Sequence, residues 1–343
     1  MVKNTTYCQR IILVCTIFFS SIAFAQDIHF TQFYEPQITL NPANTGRFVG
    51  SWRANGIYRN QWGSITKPFI TTALSFDKQF QIKEHTIGLG GYYAFDQSAS
   101  QTLFMNKLML SAAYHRAFGY HQLSAGIQVG YANRFLNYSK LSYPGQFDNN
   151  IGAFNTSIAN GESFANASSN YLDLNSGINY KTRINEKLLA EVGLAIFHWN
   201  YPKETFNGAK TNRIQPRYVF SSGANYNLNP KAFISGHLLY MYMKKASDLL
   251  FAVHYNHRLE ANKSNINLVF GGLAARTGFT RNTDALAVIV GAEILSYRVG
   301  LAYDVNISKL SASTYFRGAF ELSVTYIAPY PSPSKYTIPC EIY

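Results

Sequence analysis

From Phe320 to Tyr326 the chain reads Phe-Glu-Leu-Ser-Val-Thr-Tyr, with Phe320, Leu322, Val324 and Tyr326 in one phase and Glu321, Ser323 and Thr325 in the other. A period of two marks a strand, because successive side chains of an extended backbone point to opposite faces. The pattern recurs. Val299, Leu301, Tyr303, Val305 and Ile307 oppose Gly300, Ala302, Asp304, Asn306 and Ser308. Leu123, Ala125, Ile127, Val129 and Tyr131 oppose Ser124, Gly126, Gln128, Gly130 and Ala132, and Leu172, Leu174, Ile178 and Tyr180 oppose Asp173, Asn175, Gly177 and Asn179. In a soluble sandwich the apolar face would be the core and the outer face would carry many Lys and Glu. Here the second face is small and polar, which suits a lumen and leaves the apolar face for lipid.

Composition agrees. Charged residues make up only 14% of the chain, where a soluble domain carries roughly 25%. A helical membrane protein would make up that deficit with apolar residues, but the mean hydropathy is −0.11. Past the leader no stretch approaches the roughly 20 apolar residues of a spanning helix; the densest, Ala285 to Val290, runs into Gly291 and Glu293. The pattern predicts an all-β chain, a transmembrane antiparallel up-and-down β-barrel of about 14 strands. These begin near Ser51, Thr71, His85, Leu103, Gln122, Tyr171, Lys187, Arg217, Ala232, Asp248, Asn265, Asp284, Tyr297 and Gly318.

The predicted links alternate in length. Tight ones fall at Gln81 to Glu84, Gly119 to His121, Arg183 to Glu186, Asn227 to Pro230 and Leu295 to Ser296. Longer ones cover Asn60 to Phe69, Phe95 to Gln101, Asn137 to Asn170, His198 to Pro216, Thr277 to Thr283 and Ser308 to Phe316. Arg258 to Ser264 is long for a turn and Lys244 to Ser247 short for a loop. Short periplasmic turns against longer external loops, with an even strand number, place both termini in the periplasm.

Lys3 and Arg10, an apolar run from Ile11 to Phe19, and Ala23-Phe24-Ala25 read as a signal peptide over residues 1–25, cleaved between Ala25 and Gln26. The remaining organisation is a periplasmic or plug segment at 26–50, the barrel at 51–328 and a periplasmic tail at 329–343. Removing the leader takes the formal charge from +12 to +10 and leaves Cys340 as the one cysteine. That excludes an intrachain disulfide framework or a cysteine zinc site. The positive charge is scattered, which with the compartment argues against nucleic acid and favours outer-membrane lipid or an acidic surface polymer as counterpart.

Ordered elements run the length of the mature chain. Gln26-Asp27-Ile28-His29-Phe30-Thr31-Gln32-Phe33-Tyr34 is followed by Leu40-Asn41-Pro42-Ala43-Asn44-Thr45-Gly46, then Tyr58-Arg59-Asn60-Gln61-Trp62 and Leu74-Ser75-Phe76-Asp77. Further on come Tyr171-Leu172-Asp173-Leu174-Asn175, Ala302-Tyr303-Asp304 and Gly318-Ala319-Phe320-Glu321-Leu322-Ser323. This resembles the PorP/SprF family of type IX secretion system outer-membrane proteins of Bacteroidetes, in which an LNPA-x-x-G element precedes a YR-x-QW element. Family members often end in a CPR-aromatic tail, where this chain has Ile338-Pro339-Cys340-Glu341-Ile342-Tyr343. The resemblance implies a non-enzymatic component of the secretion and gliding machinery, docking periplasmic ring components or secreted cargo such as an adhesin. The alternative is an outer-membrane diffusion channel or hydrophobic-solute transporter.

Two sets of residues stand out. Phe30, Phe33 and Tyr34 are apolar anchors of the kind binding hot spots use, and Asn41, Pro42 and Gly46 form turns. They point to a partner site before the barrel or to a plug within it. Gln61 and Trp62, in the first external loop, could contact cargo or belong to an interfacial aromatic girdle. On the lumen phase, Arg53, Arg59, Arg217 and Arg298 face Asp173, Glu191, Glu293, Asp304 and Glu321, either lining a selective channel or forming interior ion pairs that brace the wall. The loop from Asn137 to Asn170, with Phe147, Phe154 and Phe164, could cover the mouth or meet a partner.

Catalysis, cofactors and metals find no support. His254 and His257 fall on opposite faces of a strand, and Gly88-Leu89-Gly90-Gly91 runs into a strand instead of a helix. Asp304-Val305-Asn306 lacks the glycine and glutamate of a calcium loop.

Overall fold

The computed structural model describes residues 28–331 apart from 64–66, 99–100, 139–140, 156, 160–167, 207–211, 245, 261–264, 279–282, 309–310 and 312–314. The leader with its Ala25–Gln26 cleavage point, Phe164 and Cys340 lie outside the described residues.

Among the described residues sixteen strands follow one another. The first five are β1 (Trp52–Gln61), β2 (Phe69–Ile82), β3 (His85–Gln97), β4 (Leu103–Phe118) and β5 (His121–Leu136). Within the next loop are the short β6 (Phe147–Asp148) and β7 (Ala153–Phe154). Then come β8 (Ser168–Arg183), β9 (Leu188–Phe197), β10 (Arg217–Asn229), β11 (Ala232–Met243) and β12 (Ala246–Arg258). The last four are β13 (Ile266–Thr277), β14 (Thr283–Ile294), β15 (Tyr297–Asn306) and β16 (Arg317–Ala328). Fourteen of them close a barrel in which every strand pairs antiparallel with its neighbours in the chain, while β6 and β7 form a separate hairpin. The seam joins β1 to β16, from Trp52 opposite Ala328 to Gln61 opposite Ala319. Closure leaves no edge with unpaired backbone groups, the condition for a sheet in lipid.

The strand starts match the period-two reading to within a few residues. The largest difference is β8, which begins at Ser168, three residues before Tyr171. Ser168, Ser169 and Asn170 show no alternation, yet their backbone pairs with Phe135, Arg134 and Asn133. Hydrogen bonding extends the strand past the point where lipid shapes its sequence. The turns at Lys83–Glu84, Gly119–Tyr120 and Leu295–Ser296 share the end at which β1 starts and β16 stops. The longer connections are at the opposite end, and the two irregular links, 259–265 and 244–245, keep their odd lengths.

Burial divides each strand as the alternation requires. Leu273, Ile127 and Leu172 point outward and are about two-thirds exposed, whereas Asp173 and Glu321 are fully buried. Residues 28–50 occupy the lumen. A helical turn over Gln37–Leu40 and a 3-10 turn over Pro42–Asn44 are packed inside the wall. Asn41 caps the second turn, accepting the Ala43 N–H at 2.9 Å.

Candidate functional site

The lumen charges are organised around this internal segment. At one level Arg59 donates through Nη2 to Asp304 at 2.8 Å and through Nη1 to Glu321. Thr31 completes the knot, its N–H on Glu321 at 2.6 Å and its hydroxyl on Asp304 at 2.8 Å. Gln32 adds a backbone N–H to Glu321 at 2.9 Å. All these groups are nearly fully buried, so each charge depends on its partners for the solvation that water would otherwise supply.

Nearer the short turns, Arg298 bridges Glu35 at 2.9 Å and Glu293 at 2.6 Å and lies over the Phe270 ring. Arg53 forks onto Asp77 at 2.9 and 2.7 Å, and Gly46 N–H donates to the same carboxylate at 2.7 Å. Arg47 reaches Glu191 at 2.7 Å. Towards the long loops Asp173 takes Lys107 at 2.7 Å and His198 at 2.8 Å. Arg217 sits 4.3 Å over the Phe197 ring centroid. Of the nine sequence-derived lumen charges, Arg59 with Asp304 and Glu321, and Arg298 with Glu293, therefore pair among themselves. Arg53, Asp173 and Glu191 take partners outside that set: Asp77, Lys107, His198 and Arg47.

The proposed contact residues are built into the interior. Phe30 packs with Ile38, Ile57 and Met109, and Phe33 and Tyr34 with Leu239, Leu250 and Phe270. Tyr34 stacks on His237 at 4.6 Å, and its hydroxyl lies 2.9 Å from His254 Nε2. Burial pushes the Tyr34 phenol well above its ordinary value, and the adjacent Glu35 carboxylate adds to the shift. Asn41 donates to the carbonyls of Ile178 and Leu194 at 2.9 and 3.3 Å. Gln128 donates to the Ile38 carbonyl at 2.7 Å, and Thr45 meets Ser111 at 2.5 Å. Phe30, Phe33, Tyr34, Asn41 and Pro42 are at most 9% exposed, so with the segment seated no outside partner reaches them. The aromatic run fills the barrel instead of a partner's pocket.

One placement differs from the sequence reading. Gln61 is the last residue of β1, paired with Phe69 and Ala319, so it belongs to the wall and not to the loop. Trp62 opens the loop at φ 60° with its ring edge on Phe69 at 5.4 Å. The wall starts and stops at the short-turn end, and Ile28 packs on the cluster of Ile57, Ala73 and Ala94, in the half of the lumen nearer the long loops. The segment descends from Thr31, beside Arg59, to Glu35, beside Arg298, before leaving near Trp52.

Glu35, Arg47, Asp77, Lys107 and His198 were missed as site residues. Asp77 and Lys107 carry a readable signal, since each holds the lumen phase of its strand. Nothing periodic marks the others, which lie on the internal segment or just past a strand end. The loop residues Phe147 and Phe154 stack edge-on at 5.4 Å across the β6–β7 hairpin. Among the described residues no group of three or more His, Cys, Asp or Glu is placed to hold a metal ion.

What this arrangement does chemically is neutralise and fill. Two cavities beside the internal segment hold about 10 and 20 Å³, too little for more than one water each.

Solved structures share the fold. The toluene transporter TodX of Pseudomonas putida is 9% identical over 84% of this chain and 92% of its own, at a TM-score of 0.51. The monoaromatic hydrocarbon channel CymD is 10% identical over 90% and 95%, at 0.50. At such identities the likeness concerns the fold alone. No curated protein matches the chain. The pattern of the type IX secretion system membrane protein PorP/SprF, in contrast, matches residues 22–326, nearly the whole sequence, and the chain therefore belongs to the PorP/SprF family.

Proposed function

We propose that this protein is a non-enzymatic outer-membrane component of the type IX secretion and gliding machinery. It docks periplasmic ring components on its short-turn face or secreted cargo, such as an adhesin, on its long-loop face. The family match supplies the machinery. The observation that carries the docking role is the filled lumen: a barrel whose interior is occupied by residues 28–50 and knotted by buried ion pairs offers its two rims, not its bore, to partners. Val49, 87% exposed where the internal segment leaves the barrel, sits on the short-turn rim.

In this reading residues 1–25 direct export and are removed after Ala25, residues 26–50 form the plug, 51–328 the wall and 329–343 a periplasmic tail. The wall starts and ends on the periplasmic side. The alternative, a diffusion channel or hydrophobic-solute transporter, draws support from the fold shared with the toluene transporter TodX; the occupied lumen weighs against it.

A tagged chain recovered from the native envelope in mild detergent is expected to bring type IX components or their cargo with it. Recovery of the barrel with neither would overturn the docking role.

A further inference from the structure

The outer wall carries a trough of about 990 Å³ across β4, β5 and β8–β10. Its residues fall in two rows of cross-strand partners. Tyr114, Ala125, Ile178, Leu194 and Phe220 form one row, and Ala112, Ile127, Ser176, Ile196 and Tyr218 the other. The floor is low because Ala112, Ala125 and Ser176 are small. It is also thin: directly behind it, Gly126 and Gly177 face the plug with no side chain, against Pro42 and Asn41. The lining is almost wholly apolar, and Ile127 and Ile178 stand well exposed on the outer surface.

The rim towards the short turns has the opposite chemistry. Two residues beyond the trough on β4, Arg116 is half exposed and touches Glu84 at 3.2 Å. His85 Nδ1 lies 2.6 Å from the Tyr114 hydroxyl, and His121 Nδ1 2.7 Å from the Tyr180 hydroxyl. Arg116, His85 and His121 thus gather one guanidinium, paired with Glu84, and two imidazoles on the outer face, each within two to four residues of the trough along its strand. On a lipid-facing wall that depth is where headgroup phosphates lie.

We propose that this trough is a phospholipid-binding site: an anionic glycerophospholipid of the periplasmic leaflet lays an acyl chain over Ala125 and Ser176 and its phosphate among Arg116, His85 and His121. Apolar trough and a rim of guanidinium and imidazole N–H donors together match the two halves of such a molecule, and those donors favour a phosphate, which can take the place of the exposed Glu84 carboxylate on Arg116, over a second protein's apolar segment. The site rests on the proposed orientation, with the short turns on the periplasmic side, and stands apart from the docking role. Because the floor is one backbone thick, the bound chain also supports the wall from outside where the plug presses from inside.

The test is native mass spectrometry of the full chain titrated with phosphatidylglycerol in detergent. The wild-type chain is expected to hold one lipid. Ala125→Phe, which raises the floor, should weaken it about tenfold by displacing acyl methylenes. The combined Arg116→Ala, His85→Ala and His121→Ala chain should lose the preference for phosphatidylglycerol over phosphatidylcholine. Leu273→Phe, on an outward position of β13, should bind as wild type does, and heat-modifiable gel mobility checks that each variant is folded. Unchanged binding by folded Ala125→Phe would overturn the site, as would no saturable lipid on the wild type, or lipopolysaccharide or another protein held there instead.

Discussion

Replacing Arg59 with Leu should destabilise the folded barrel by about 3–5 kcal/mol, because removing one member of a buried charge cluster strands the others without solvent. Glu321 would be left fully buried with only the Thr31 and Gln32 N–H groups on it, and Asp304 with the Thr31 hydroxyl and a longer approach from Arg276 at 3.6 Å. Carrying Asp304→Asn and Glu321→Gln in the same chain should recover much of the loss, since neutral amides tolerate burial better than orphaned carboxylates. In vesicles without anionic lipid, Arg116→Leu breaks only an exposed contact with Glu84 and should shift stability by less than about 1 kcal/mol. Urea unfolding in lipid vesicles, followed through Trp52, Trp62 and Trp199, measures all three. An Arg59→Leu midpoint equal to that of Arg116→Leu would mean that the interior cluster does not brace the wall.

The second large effect falls on the plug seat. A side chain at Gly177 would overlap the amide of Asn41, and one at Gly126 would overlap the Pro42 backbone. Both glycines face inward from adjacent strands and are paired with each other. Gly177→Val should therefore leave the wall closed, because its β-branched residue suits a strand, while unseating residues 41–46. Asn41 would lose Ile178 and Leu194, and Thr45 would lose Ser111. The expected result is a protease-sensitive amino-terminal segment on a barrel that still migrates as folded. A plug that stays protected in Gly177→Val would place the decisive contacts elsewhere, at Arg53–Asp77 or Arg298–Glu35.

The wall was legible in the sequence because lipid and lumen impose opposite demands on alternate residues. Glu321, Ser323 and Thr325 could be placed inside from their phase alone, and β3, β4, β10, β11 and β15 begin at or beside the residues that alternation marks. The phase also put Arg59 with Asp304 and Glu321. It could not put Glu191 with Arg47 or Asp173 with His198, because Arg47 belongs to an irregular internal segment and His198 follows a strand end at φ 58°. The aromatic run Phe30, Phe33 and Tyr34 carries the same composition whether it fills its own barrel or a partner's groove. Inward-facing glycines such as Gly126 and Gly177, making room for Asn41 and Pro42, distinguish the two, and that juxtaposition spans more than 80 residues of chain. The descent of the plug from Thr31 to Glu35 likewise has no periodic trace, so strand parity carries no information on the course of the chain within the lumen.

The barrel is closed by its own residues 28–50, and the most direct measurement of that closure is the conductance of the purified mature chain in planar bilayers. Wild type is expected to be electrically silent, and Gly177→Val to conduct. Steady ohmic conductance from the wild-type chain would contradict the plugged docking barrel and favour the channel.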